Sequence, residues 1–236
     1  MKLVGIDGCR FGWVAVSLSD NCALLFKNLN DLVSYYDNEA LFLIDMPIGL
    51  PSENVERDCE IVLRKELSVK RKSSLFPIPC REAVYAETYE KASETNRKIL
   101  QKGICKQTWF ICFKIKELDK LLLQNPQLQS RFRESHPEVA FHFLNHRVSM
   151  GFNKKTEEGQ QERLKLLSQV SGNIDSIYSN SIQKYKRKDI AKDDIIDALC
   201  LAVTLEEIIK NNISLESENK DDQNLPMQIN FFDILS

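Results

Sequence analysis

Two short apolar runs that each end on an aspartate constrain this chain more than any other feature. The first, Leu3–Ile6, reaches Asp7, turns through Gly8, Cys9, Arg10, Phe11 and Gly12, and resumes as Trp13–Val16. That pattern predicts a β-hairpin whose first strand carries a carboxylate to its own end. The second, Ala40–Asp45 (ALFLID), is a continuous run of the kind found in strands buried on both faces. The prolines and glycine of Met46–Pro51 forbid continued helix or ladder beyond it. A buried carboxylate keeps its charge only beside a cation. For Asp7 the candidates are Arg10 and a metal ion, and a simple Asp-Gly turn is the alternative.

At 236 residues the chain suits one large domain. It reads as a single domain over 1–236, with a helical insertion at about 53–125 and a mobile acidic loop at about 211–224. With 43% hydrophobic and 28% charged residues it has no apolar stretch of membrane-spanning length, and no signal-like segment opens it. Seven scattered cysteines without a C-x-x-C pair fit reduced thiols, so a cytoplasmic protein with no membrane partner is expected. A net charge of −2 gives no global attraction to nucleic acid, which would need local basic patches. Lys70–Lys72 with Arg81, and the run Lys184, Lys186, Arg187, Lys188, are the candidates; a solvated face is the alternative for each.

Along the chain, Ala23–Lys27 is predicted as a strand and Asn28–Asp37 as a capped helix. Helices are predicted over Glu53–Glu66, Glu82–Leu100 and Thr108–Leu123, with the proline-stiffened basic segment Lys70–Arg81 between the first two. Leu128–His136 alternates like a strand, and Pro137 suits the first turn of a helix containing Glu138. Glu138 reads there as an acid stabilised by the helix dipole. His142 and His146 lie four apart, but no third ligand accompanies them. One or two helices follow within Gly151–Gln183, and Leu225–Phe232 reads as an edge strand or docked tail.

The last helix, Ala191–Lys210, carries an acid pair in an unusual phase. At about 100° per residue Asp194, Asp197, Ala198, Leu201, Leu205 and Ile208 share one stripe. The carboxylates therefore continue the face that must pack, whereas solvated acids would lie opposite it. If the strands ending at Asp7 and Asp45 are parallel neighbours they lie about 4.8 Å apart, and a helix across them brings Asp194 and Asp197 to the same place. Such acids repel and become partly protonated unless divalent cations neutralise them. Mg²⁺ or Mn²⁺ suits oxygen ligands, and two such ions can clamp the attacking and leaving oxygens of a phosphodiester displacement.

The order hairpin, third strand, helix, acidic strand and late acid-bearing helix is the layout of the ribonuclease H-like fold: an α/β mixed sheet flanked by helices, here with a helical insertion between strands. The stretches GIDGCRFGWV, IDMPIGLP, SSLFPIPCREAVY, KQTWFICFKIKELD, ESHPEVAFHFLN and DDIIDALCLAVT together resemble the DUF429 family, described as predicted ribonuclease H-like nucleases of the RuvC-like branch. The resemblance implies metal-dependent cleavage of nucleic acid. It places the family's acids on Asp7, Asp45, Glu138, Asp194 and Asp197, with Glu134 as an additional acid beside them. Asp7, Asp45, Asp194 and Asp197 would be the metal ligands. Arg10, Ser74, Arg81, Lys106 and Gln107 fall in the other motifs, where they could hold phosphate oxygens. Phe11 departs from a common glycine and Cys105 from a common serine. An actin-like or sugar-kinase-like ATPase is the alternative enzyme class, although no second phosphate hairpin is apparent. A non-catalytic protein retaining the acids as a metal or ligand site is the third reading.

Overall fold

The computed structural model describes residues 1–36 and 39–235. Asp37, the predicted end of the first helix, lies outside the described residues. Among the described residues the strands are β1 (Leu3–Gly8), β2 (Trp13–Ser17), β3 (Cys22–Phe26), β4 (Leu41–Ile44) and β5 (Phe132–Glu134). The helices are α1 (Leu29–Tyr35), α2 (Cys59–Glu66), α3 (Arg81–Val84), α4 (Tyr89–Leu100), α5 (Lys106–Gln124), α6 (Pro137–Leu144), α7 (Glu157–Val170), α8 (Ile174–Lys184) and α9 (Lys192–Lys210). Helices α2 to α5 fall between β4 and β5, as an insertion in an α/β chain. None of the helices is long and apolar enough to cross a membrane.

Two compact units form: Met1–Asp45 with Arg131–Leu215 and Asn230–Ser236, and Met46–Ser130 with Glu216–Ile229. The first holds the sheet, ordered β3-β2-β1-β4-β5. Strands β1, β2 and β3 are antiparallel neighbours, whereas β4 runs parallel to β1 and β5 parallel to β4. This is the mixed sheet that the hairpin and the buried acidic strand called for. Strand alternation sets its two faces. Gly5, Asp7, Val14, Val16, Ala23 and Leu43 share one, and Val4, Ile6, Phe42, Ile44, Phe132 and Glu134 share the other.

Helix α9 packs on the Gly5 face and is buried along nearly its whole length, including Ile196, Leu199 and Val203 on the side away from the predicted stripe. Its approach to β1 is close enough that a Cβ on Gly5 would lie 2.3 Å from both the Ala198 carbonyl oxygen and the Ala202 nitrogen. Helices α6, α7 and α8 join α9 in one apolar core. On the opposite face Phe42 stacks on Phe132 with ring centroids 4.6 Å apart.

The second unit departs from the predicted helices in two places. Residues 53–58 are not helical: Ser52 Oγ accepts the Asn54 and Val55 N–H groups, and the buried Arg57 guanidinium binds the Ile48 and Gly49 carbonyls and Glu60. These side-chain bonds offer the backbone an alternative to the helix ladder. The predicted helix Glu82–Leu100 is two, because Thr88 adopts an extended cap conformation and its hydroxyl accepts the Lys91 N–H. Leu128–His136 forms a strand only at Phe132–Glu134, after a 3₁₀ turn at Pro126–Leu128. The acidic stretch near 211–224 carries a buried carboxylate, Asp221, that accepts the N–H groups of Leu50, Gln223 and Leu225. Residues 225–232 form no strand. Asn230 instead docks on β5, where its backbone N–H and its amide both donate to the Glu134 carbonyl.

Gly5→Ala should destabilise the protein by about 3 kcal/mol or more, since the added methyl meets helix backbone that cannot yield without moving α9. Urea unfolding checks this, and a change under 1 kcal/mol would show that α9 is not seated so closely.

Candidate active site

Ile6 pairs with Ile44 in the parallel register, so the next residues, Asp7 and Asp45, stand side by side where β1 and β4 end. The Asp45 N–H donates to the Ile6 carbonyl at 2.9 Å and fixes that alignment. Both aspartates belong by alternation to the face covered by α9. Glu134 pairs with Ile44 and so belongs to the opposite face. It does not stand beside the other acids as expected, because a period of two assigns it to the wrong side of the sheet.

Asp197, one turn inside α9, is 2% exposed, and the Lys154 ammonium donates to its Oδ2 at 2.6 Å. Asp194 is less deeply placed. Its Oδ2 accepts the Ala191 N–H at 2.9 Å, the acidic half of a capping box whose other half an alanine cannot supply. Asp7 Oδ1 accepts the Gly8 N–H at 2.6 Å, yet both residues belong to β1 and pair with Val14 and Trp13, so the Asp-Gly pair does not itself make the turn. Glu138 does sit in the first turn of α6, where its Oε1 accepts from Arg163 Nη2 at 2.7 Å in a buried ion pair.

Burial first, and neighbouring charge second, set the electrostatics. Burial pushes Asp7 well above the usual carboxylate range, and repulsion from Asp45, Asp197 and Asp194 adds to it. Asp45 is also raised, first by burial, although His136 and Lys154 pull it back. Asp197 is pushed up to about 6 by burial, against the opposing pull of Lys154. Asp194 is raised by burial, opposed by its bond to the Ala191 N–H. Burial alone would weaken the Lys154 ammonium, but Asp197, Asp7 and Asp45 outweigh it and hold its pKa above the ordinary value.

Lys154 and Arg163 were not anticipated. Lys154 lies in the polar run GFNKKTEEG, which by composition is a solvated loop, and its partner is 43 positions away. Arg163 left a readable trace: Gly159, Arg163 and Leu167 recur every four residues on the buried stripe of α7, where an arginine needs a partner.

The remaining candidates divide between the units. Arg10 projects from the β1–β2 turn, and its Nη1 lies 3.4 Å from the Arg187 carbonyl. The Phe11 N–H donates to the Asp189 carbonyl at 2.8 Å. The hairpin turn is thereby tied to the exposed basic run Lys184–Lys188 just before α9. Ser74, Arg81, Lys106 and Gln107 belong to the second unit. There Arg81 is committed to two buried carboxylates, Asp119 at 3.0 Å and Asp221 at 2.5 Å, which neutralise the charge that a phosphate would need. Ser74 ends a 3₁₀ turn. Lys106 and Gln107 are exposed in the first turn of α5, whose cap is Cys105: its thiol sulfur accepts the Thr108 N–H, doing the work of a serine hydroxyl. His142 lies within α6 while His146 lies beyond its end, so helical spacing does not bring the two together.

The donor chemistry suits a hard divalent cation, since several acids whose ionised forms repel one another share a sheet end. The side chains are nonetheless engaged with protein groups. Among the described residues no set of three or more His, Cys, Asp or Glu side chains is disposed to hold a metal ion. Lys154 bonds Asp197, the Ala191 N–H bonds Asp194 and Arg163 bonds Glu138.

Fold and site define an α/β protein with carboxylates gathered at the ends of two parallel strands beneath a buried helix. The chain belongs to the family described as "Protein of unknown function (DUF429)", whose model matches residues 5–219. Comparison with curated proteins and with solved structures gave no match.

The raised Asp197 makes a pH prediction. The folded chain takes up this proton near pH 6 and the unfolded chain only near 3.8, so folding binds a proton between those values. Stability should therefore rise as pH falls through that window and be lost as pH rises, by at most about 3 kcal/mol from this group. Urea unfolding in chelator from pH 4.5 to 7.5 should show that slope, flattened in Asp197→Asn. An identical slope in the variant would contradict the assignment.

Proposed function

We propose that the protein is a cytoplasmic, divalent-metal-dependent nuclease whose catalytic centre is the acid cluster at the ends of β1 and β4. The observation that supports it best is the pairing of Asp7 with Asp45 at adjacent parallel strand ends, on the face covered by the helix that carries the buried Asp197. A structural helix gains nothing from burying carboxylates near other carboxylates, because repulsion and desolvation both oppose it.

In this reading Asp7, Asp45 and Asp197 hold Mg²⁺ or Mn²⁺, and Asp194 assists from the start of α9. Bound there, the ions would supply charge neutralisation at the scissile phosphate and activation of water for its attack. The chain's own groups do the rest. Arg10, tied to the basic turn before α9, binds a phosphate oxygen, and Lys184, Lys186, Arg187 and Lys188 follow the flanking backbone. Glu138 acts through Arg163 as a positioning residue. Arg81, already neutralised by Asp119 and Asp221, has a structural role. The seven scattered cysteines without a C-x-x-C pair fit a reducing compartment.

Purified protein incubated in Mn²⁺ with branched DNA, single-stranded DNA, RNA and ATP should cleave at least one of the nucleic acids. Asp7→Asn should lose at least about a hundredfold in rate, the size of effect seen when a charge-stabilising group is removed. Cleavage that survives in Asp7→Asn would refute the site. ATP hydrolysis with every nucleic acid intact would favour an actin-like phosphotransferase instead.

A further inference from the structure

Lys154 lies on the connection between α6 and α7, whose backbone several side chains hold. The segment between α6 and α7 is fastened on both sides of it. Glu162 accepts the N–H groups of Gly151 at 2.8 Å and Phe152 at 3.1 Å. Arg163 Nη1 donates to the Phe152 carbonyl at 3.2 Å, and its other arm holds Glu138. Asn153 lies flush against the first turn of α7, where a Cβ on Gly159 would sit 1.9 Å from the Asn153 carbonyl oxygen. Thr156 then caps α7 by accepting the Gly159 N–H.

These bonds fix the backbone around Lys154 and leave its ammonium for the acids. A lysine stem loses rotamer freedom when it is held, so an ordinary loop lysine extends into water. Here the ammonium meets Asp197 at 2.6 Å and is acted on by Asp7 and Asp45, the same carboxylates that would ligate a divalent cation. A single ammonium and a divalent ion cannot both sit among them without strong like-charge repulsion.

We infer that Lys154 is the resident counter-cation of the acid cluster, and that it competes with a divalent cation for Asp197, Asp7 and Asp45. The inference rests on the metal-site reading above and adds to it an internal competitor. Lys154 thereby offsets part of the cluster's charge until a divalent ion displaces it, and sets how much free metal the site requires.

The test is calorimetric titration with Mn²⁺, with thermal melting in chelator and in Mn²⁺, on the full chain and on Lys154→Met, Lys154→Arg and Lys155→Met. Lys154→Met should bind Mn²⁺ about tenfold more tightly or better, equivalent to one pKa unit or more of relieved repulsion. It should melt below the unaltered protein in chelator and gain more on adding Mn²⁺. Lys154→Arg, which keeps the charge, and Lys155→Met, which removes a neighbouring exposed one, should track the unaltered protein. If methionine prevents folding, Lys154→Gln makes the same comparison while keeping a donor for Asp197. Equal Mn²⁺ affinity with and without the lysine overturns the competition and leaves the metal site standing. Absence of Mn²⁺ binding in every form overturns both. Tighter binding in Lys154→Met, from a protein that cleaves no nucleic acid, supports the competition and removes the nuclease reading.

Discussion

The close seating of α9 on β1 is the contact on which the rest of the first unit depends. A glycine at position 5 lets the helix backbone come within reach of the strand backbone, at a distance where a single methyl would collide with Ala198 and Ala202. That approach buries α9 on nearly all sides and brings Asp197 onto the sheet face where Asp7 and Asp45 end their strands. Fold and acid cluster thus share one cause. The strands bring two carboxylates into register, and the helix that covers them brings a third.

Gathering those acids works against stability. Desolvation and repulsion raise Asp7, Asp45, Asp194 and Asp197 together, and Lys154 offsets part of it. A buried charge pair seldom stabilises more than apolar packing of the same volume would, so a chain selected only for stability has little reason to keep this arrangement. The fastening of residues 151–156 by Glu162 and Arg163, with Arg163 also tied to Glu138, extends the polar network from α6 to α7. A polar network of this extent specifies geometry, and geometry is what a site for a charged reaction requires.

Much of the sheet was legible because its cues are local. The opening hairpin and the continuous run ALFLID each rest on a period or a turn that neighbouring residues set by themselves, whereas the single stripe read for α9 says less, because the opposite side of that helix is buried too. Two such cues made Asp7 and Asp45 strand-end residues, and the parallel pairing that sets them side by side was a condition that the β1–β4 register meets. What the sequence hid depends on distant partners or on side chains competing with backbone. Arg57 commits its guanidinium to the Ile48 and Gly49 carbonyls and to Glu60, and so holds residues 53–58 out of the helix that propensity predicted there. Glu134 lies on the opposite face because its register against Ile44 sets its parity, which no local pattern gives. Lys154 was hidden most completely, since a lysine in a polar loop and a lysine facing an acid cluster look alike until the loop is placed.

In the proposed site Asp7, Asp45 and Asp197 bind a divalent cation and Lys154 must withdraw from them. Anomalous scattering from crystals grown in Mn²⁺ tests it most directly. An anomalous peak should lie within coordination distance of oxygens from all three aspartates, with the Lys154 ammonium turned away from Asp197. Crystals with no peak at that cluster, and with Lys154 still bonded to Asp197 at saturating Mn²⁺, would contradict it.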